Sequence, residues 1–254
     1  MKLTSDVRPD VDKLKHTGPV ELGKIRAWSY STLKVFEECP YRSYIAKVRR
    51  IAEPSGPAAS RGSKIHQQAE DYVNGKLEEL PDTLDGHFTS DFEQLRKLYK
   101  EGKVELEGEW GFDINWNPVK WLEKATWARI KLDAYVQQDE KSARVIDYKT
   151  GKKFGNEISH GQQCLLYAIG TFFRYPELEF VQAELWYLDQ KSTTKKTYTR
   201  DQALMFAPGF HSRGLVMTTC TDYEPRPSKS NCKWCSYKNS VNDEPAPCAW
   251  GIAS

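Results

Sequence analysis

No stretch of this 254-residue chain approaches the ~18–20 consecutive apolar residues of a membrane-spanning helix, so no such helix is expected. The opening Met1-Lys2-Leu3-Thr4-Ser5-Asp6 lacks the apolar centre of a secretory signal. The expectation is a cytoplasmic protein. Excess charge of either sign is also missing: 37 Lys and Arg stand against 35 Asp and Glu, a net charge of +2. Any binding of a polyanion must therefore rest on local patches. There is no internal repeat and no low-complexity tract, which excludes solenoid and linker architectures. Six cysteines are too few for a disulfide scaffold in a chain of this size, and they point to a metal or a cluster instead.

What is present fits one large globular domain: 39% hydrophobic and 28% charged residues. The chain is organised around Ala143-Arg144-Val145-Ile146-Asp147-Tyr148-Lys149-Thr150-Gly151, a short buried strand ending in a charged pair and a turn. Side chains alternate on a strand, so Asp147 and Lys149 share one face about 7 Å apart. Such a pair can hold a metal ion and a water together; the plain alternative is a surface ion pair. Upstream, Ile130, Leu132, Ala134 and Val136 alternate with Arg129, Lys131, Asp133 and Tyr135, as in a half-buried strand. The polar segment 137–142 reads as the hairpin turn between them. An odd loop, or a bulge, sets Asp133 beside Asp147.

Ser29-Tyr30-Ser31 can cap a helix through Leu33, Val35 and Phe36, with a break at Pro40 and a second segment from Tyr41 to Val48. Residues 61–74 read as a helix on which Gly62 and His66 lie one above the other. Residues 82–102 read as a surface helical linker packing outside the core. The sheet begins near Glu105, where Glu109 is an exposed or outer carboxylate. Trp110, Trp116, Trp121 and Trp127 read mostly as packing, with base stacking as the alternative. Residues 162–173 read as a helix with Gln163 and Tyr167 on one face, 180–188 as a strand, and 199–217 as a helix broken at Pro208-Gly209. The expected division is a flexible arm over 1–26 and one domain over 27–254, whose segment 220–254 carries Cys232-Lys233-Trp234-Cys235 and Cys248.

Asp133 followed by Asp147-Tyr148-Lys149 resembles the D…(D/E)xK core of the PD-(D/E)XK nuclease superfamily, and "IDYKTGK" resembles its RecB-type branch, which includes the CRISPR-adaptation nuclease and phage exonucleases. Gly62 to His66 matches its GxxxH element, Gln163 to Tyr167 its QxxxY element, and Cys39-Pro40-Tyr41-Arg42-Ser43-Tyr44 its N-terminal helix. Leu132 stands where the family name has proline. The resemblance implies an α/β fold: a mixed central sheet flanked by helices, with an N-terminal helical segment and a cysteine-containing C-terminal segment. It implies Mg²⁺- or Mn²⁺-dependent hydrolysis of DNA, exonucleolytic rather than endonucleolytic, in recombination, repair or phage DNA processing, within the host cytoplasm if phage-encoded. Asp133, Asp147 and Lys149 are the implied catalytic residues. His66, Asp133, Asp147 and the Tyr148 carbonyl are the implied metal ligands. Gln163, Tyr167, Arg42 and Lys152 are assigned to DNA, single-stranded or at duplex ends. Cys39, Cys232, Cys235 and Cys248 resemble the ligands of a [4Fe–4S] cluster, with Trp234 shielding it; zinc and free cysteines remain alternatives. A non-catalytic DNA-binding subunit on this fold, or an unrelated zinc protein, are the rival functional readings.

Overall fold

Apolar alternation and capping chemistry place the elements. A computed structural model of the chain describes residues 14, 15, 18–54, 56–240 and 245–252. The expected N-terminal arm falls largely outside the described residues, at 1–13 and 16–17; Leu14 and Ile25 are buried against the domain. In chain order the elements are β1 (Trp28–Ser29), α1 (Tyr30–Glu38), α2 (Pro40–Lys47), α3 (Pro57–Val73), α4 (Thr89–Lys100), β2 (Val104–Phe112), β3 (Pro118–Val119), β4 (Ala128–Gln137), β5 (Ser142–Lys149), α5 (Glu157–Arg174), β6 (Phe180–Tyr187), β7 (Ser192–Thr199), α6 (Arg200–Leu204), α7 (Ala207–Thr219) and α8 (Lys229–Lys233). Ser29 and Thr32 form a reciprocal capping box that starts α1. Cys39 is extended, and Pro40 opens α2.

The strands form one mixed sheet in the order β3-β2-β4-β5-β6-β7, with β1 added beside β4. β4 and β5 are antiparallel; β5 and β6 are parallel across α5. This is an α/β fold with a mixed central sheet and flanking helices, as the sequence led one to expect. One face of the sheet packs Ile130, Leu132 and Val145 against α5 (Leu166, Ile169, Phe172) and the N-terminal segments (Trp28, Leu33, Phe36). Gly170 lets α5 come close to β4: a Cβ there would lie 2.3 Å from Ile130 Cδ1. The other face packs Ala134, Val136, Ile146 and Tyr148 against α3 and α4.

Two expectations change, and one strand goes beyond them. α4 is not an outlying linker: Phe92 and Leu95 are fully buried, and Phe92 packs on Tyr148 and Trp186. Residues 192–199 form a strand with no apolar alternation, because β7 is an edge strand whose Lys195 and Lys196 discourage further pairing. The break between α6 and α7 falls at Met205–Phe206, and Pro208 belongs to the first turn of α7. Of the four clustered tryptophans, Trp110, Trp116 and Trp127 are core residues; Trp121 is partly exposed.

Candidate active site

The β4–β5 hairpin determines where the acids stand. Its last ladder pair is Gln137↔Ala143, which leaves five residues in the loop, an odd number. The register therefore continues past Ala134↔Ile146 to set Asp133 opposite Asp147, at the point where regular β4–β5 pairing stops. On the other side of β4, the β2 ladder runs Leu106↔Ala134 and Gly108↔Leu132, so its register sets Glu107 opposite Asp133. Glu107 is left-handed, at φ +49°. A residue with a Cβ rarely adopts this conformation, which costs on the order of 1–2 kcal/mol. It has a local consequence. Leu106 and Ala134 face the α3–α4 core, whereas Trp110, Ile130 and Leu132 face the other core. Both strands exchange faces at the Glu107–Asp133 row, and polar side chains gather at that exchange.

The ligating atoms of His66, Glu107 and Asp133 all lie within 4.8 Å of one another, the one such three-residue group among the described residues. His66 Nδ1 lies 2.8 Å from Asp133 Oδ1, and the Tyr148 N–H donates to Asp133 Oδ2 at 2.5 Å. Gly62, one turn before His66, brings α3 against the end of β5: a Cβ there would meet Thr150 Oγ1 at 3.0 Å. The room it provides is for Thr150. Lys131 lies 2.8 Å from Glu107 Oε2 and 3.8 Å from Glu109. The acid that enters the site is thus Glu107, while Glu109 stays on the exposed strand.

Asp147 lies just behind this group, on the α5 side. Tyr167 donates its hydroxyl to Asp147 Oδ1 at 2.7 Å, and Lys149 Nζ is 2.5 Å from Oδ2. Oδ2 is buried, and the Lys149 ammonium is the cation beside it. Lys149 also donates to Gln163 Oε1 at 2.9 Å, and Gln163 Nε2 reaches the Tyr167 hydroxyl at 2.5 Å. Burial, reinforced by the Asp147 charge, raises the Asp133 carboxyl to about 6, against the opposing His66 and Tyr148 hydrogen bonds. Burial works to lower the His66 pKa, but the Asp133 hydrogen bond and charge outweigh it and raise it.

Gln163 and Tyr167 thus hold Asp147 and Lys149, and Tyr167 is buried. Lys152 is exposed beyond β5. Arg42 pairs with Glu53 at 2.8 Å and lines a different pocket, together with Cys39, Cys232, Cys235 and Cys248. The C-terminal segment is tied back there: the Arg226 N–H meets Cys39 Sγ at 3.5 Å, Asn231 Nδ2 donates to the Glu38 carbonyl at 2.8 Å, and Tyr237 donates to the Ile51 carbonyl at 2.8 Å. No three of the sulfurs lie within 4.8 Å of one another. Trp234 does not shield this pocket, since it is 79% exposed; Trp250 lines it instead.

A family model described as the PD-(D/E)XK nuclease superfamily matches residues 27–240. No curated protein matches the chain. The crystal structure of SSO0001 superposes with a TM-score of 0.48 at 17% identity, covering 95% of this chain and 92% of that one. The crystal structure of a protein from Eubacterium rectale, described as "Putative exonuclease", gives 0.45 at 16% identity, covering 96% of each.

Proposed function

The chain belongs to the PD-(D/E)XK nuclease superfamily, whose members hydrolyse nucleic acids, and from that premise we propose that it is a divalent-metal-dependent deoxyribonuclease acting from DNA ends. One observation carries the reading: Glu107, Asp133 and His66 converge beside the buried Asp147–Lys149 pair. Two carboxylates and one imidazole fit a hard cation, and the imidazole favours Mn²⁺ over Mg²⁺. His66, Asp133 and Glu107 would hold it, with Asp147 as the neighbouring ligand. When bound, the ion lowers the pKa of a ligated water and offsets charge on the scissile phosphate.

The rest is the work of side chains. Lys149 orients the attacking water and stabilises negative charge at phosphorus. Gln163 Oε1 and Asp147 Oδ2 fix its ammonium from two directions. Tyr167 fixes the Asp147 carboxylate in turn. Water adds to phosphorus, a P–O bond to the leaving strand breaks, and the departing oxygen takes up a proton. Preference for exonuclease action rests on the resemblance of Ile146-Asp147-Tyr148-Lys149-Thr150-Gly151-Lys152 to the RecB-type branch. The test is cleavage of end-labelled single- and double-stranded DNA with Mn²⁺. Short products released progressively from an end support the reading; internal cuts in closed circles would replace it with an endonuclease.

We also propose that Cys39, Cys232, Cys235 and Cys248 hold a [4Fe–4S] cluster. The four thiols line one pocket although they come from opposite ends of the chain. When bound, the cluster supplies a covalent bridge between the α1–α2 junction and the C-terminal segment.

A further inference from the structure

A second recess, of about 280 Å³, opens beside the acids. Lys131 lines both recesses, and Gln163 and Tyr167, which hold Lys149 and Asp147, form the inner wall of the second. Their electrostatics are opposite. The first contains Glu70, Glu107 and Asp133; the second has no carboxylate among its lining residues and contains Arg129 and Lys131. Lys131 stands between the two, its ammonium 2.8 Å from Glu107, and Arg129 gives the second recess its own positive charge.

At the outer rim stands Trp121, the tryptophan of its cluster that the core did not absorb. The Arg129 guanidinium lies 5.4 Å from the centre of its ring, and Arg129 Nε donates to the Trp121 carbonyl at 3.0 Å. Ring and guanidinium are therefore fixed to each other before any ligand arrives. An indole beside a guanidinium is a stacking surface for a nucleobase. In a duplex the faces of the bases are covered by their neighbours, except the outer face of a terminal pair, so a base inside the strand presents one only when unpaired.

Resting on the nuclease reading above, we propose that this recess receives one unpaired nucleotide of single-stranded DNA adjoining the scissile bond, its base on the Trp121–Arg129 pair. The substrate end must then be single-stranded or frayed before it is cut.

The experiment is fluorescence anisotropy in EDTA, where no cleavage occurs, with a labelled ten-nucleotide single strand and a blunt duplex. Wild-type protein, Trp121→Ala and Trp121→Phe are compared, and an abasic site is stepped along the strand. The expected result is tighter binding of the single strand, a loss of about tenfold in Trp121→Ala, and recovery of most of it in Trp121→Phe. At one abasic position wild type should fall to the Trp121→Ala value, and Trp121→Ala should not weaken further. Equal single-strand binding by wild type and Trp121→Ala, or no sensitive abasic position in wild type, overturns the proposal. The abasic scan needs no variant, so a poorly folding substitution does not rescue the idea. Because binding is read without metal, a missing nuclease activity sinks the other reading separately.

Discussion

Glu107 is the residue on which sequence and structure part. Glu107 and Glu109 are both acidic and two apart, so alternation alone does not choose between them. The choice depends on the β2–β4 register, and residues 113–127 separate those strands, including β3. No turn rule fixes a register across such an insertion. The left-handed backbone at Glu107 offers a direct test. Glycine adopts that conformation without steric cost but loses more entropy on folding. Glu107→Gly should leave metal-free stability within about 1 kcal/mol of wild type while raising the Mn²⁺ concentration for half-maximal cleavage at least tenfold. A Mn²⁺ titration beside a denaturation curve measures both. The pKa shifts at Asp133 and His66 give a second prediction. Asp133, ordinarily near 3.8, is raised to about 6, and His66 is raised above 6.5. Both groups favour the folded state below their unfolded pKa values, and that contribution is lost as pH rises through the folded ones. Metal ligation requires the deprotonated forms. The share of metal-free stability that depends on this pair should therefore fall from pH 4 to above 6.5, read as the difference in Tm between wild type and His66→Gln, and the Mn²⁺-induced rise in Tm should be larger at pH 7.5 than at pH 5.5. Equal rises at both pH values would remove these two groups from the site.

At the scale of elements, the β4–β5 hairpin was readable because strand alternation and a short loop leave few registers. The five-residue loop is one of the odd cases that align Asp133 with Asp147. The capping residues of α1 and the Pro40 break were readable for the same local reason. α4 was misplaced because amphipathicity reveals a buried face without telling what covers it. Its partner is the α3 face of the sheet, set by contacts far apart in sequence. Phe92 shows the difference: it is fully buried between Tyr148 and Trp186, directly behind the Asp147–Lys149 end of β5. Phe92→Ala should cost about 3–5 kcal/mol in urea denaturation, whereas Tyr99→Ala, on the exposed side of the same helix, should cost under about 1 kcal/mol. Similar small losses from both would return α4 to the surface.

Over the whole molecule, two sites lie far apart in sequence but are tied through the same N-terminal helices. α1 borders the nucleotide recess, and its C-terminal end delivers Cys39 to the cysteine pocket. The resemblance grouped the four cysteines that line one pocket, but Trp234 does not shield it, because local spacing does not tell which way a side chain points. Cys232→Ser should abolish the brown colour of anaerobically purified protein and lower its Tm. Cys164 is buried on α5, its thiol pushed up to about 12 by that burial, and Cys164→Ser should keep the colour. Colourless wild-type protein containing zinc would replace the cluster. The central claim, that the residues around Asp147 perform metal-dependent hydrolysis, is tested most directly by the single-turnover cleavage rate of end-labelled DNA at saturating Mn²⁺, wild type against Asp147→Ala. A loss of several powers of ten, on the order of 4 kcal/mol or more in transition-state stabilisation, with the fold intact by circular dichroism, is the predicted result. Cleavage by Asp147→Ala at the wild-type rate would contradict it.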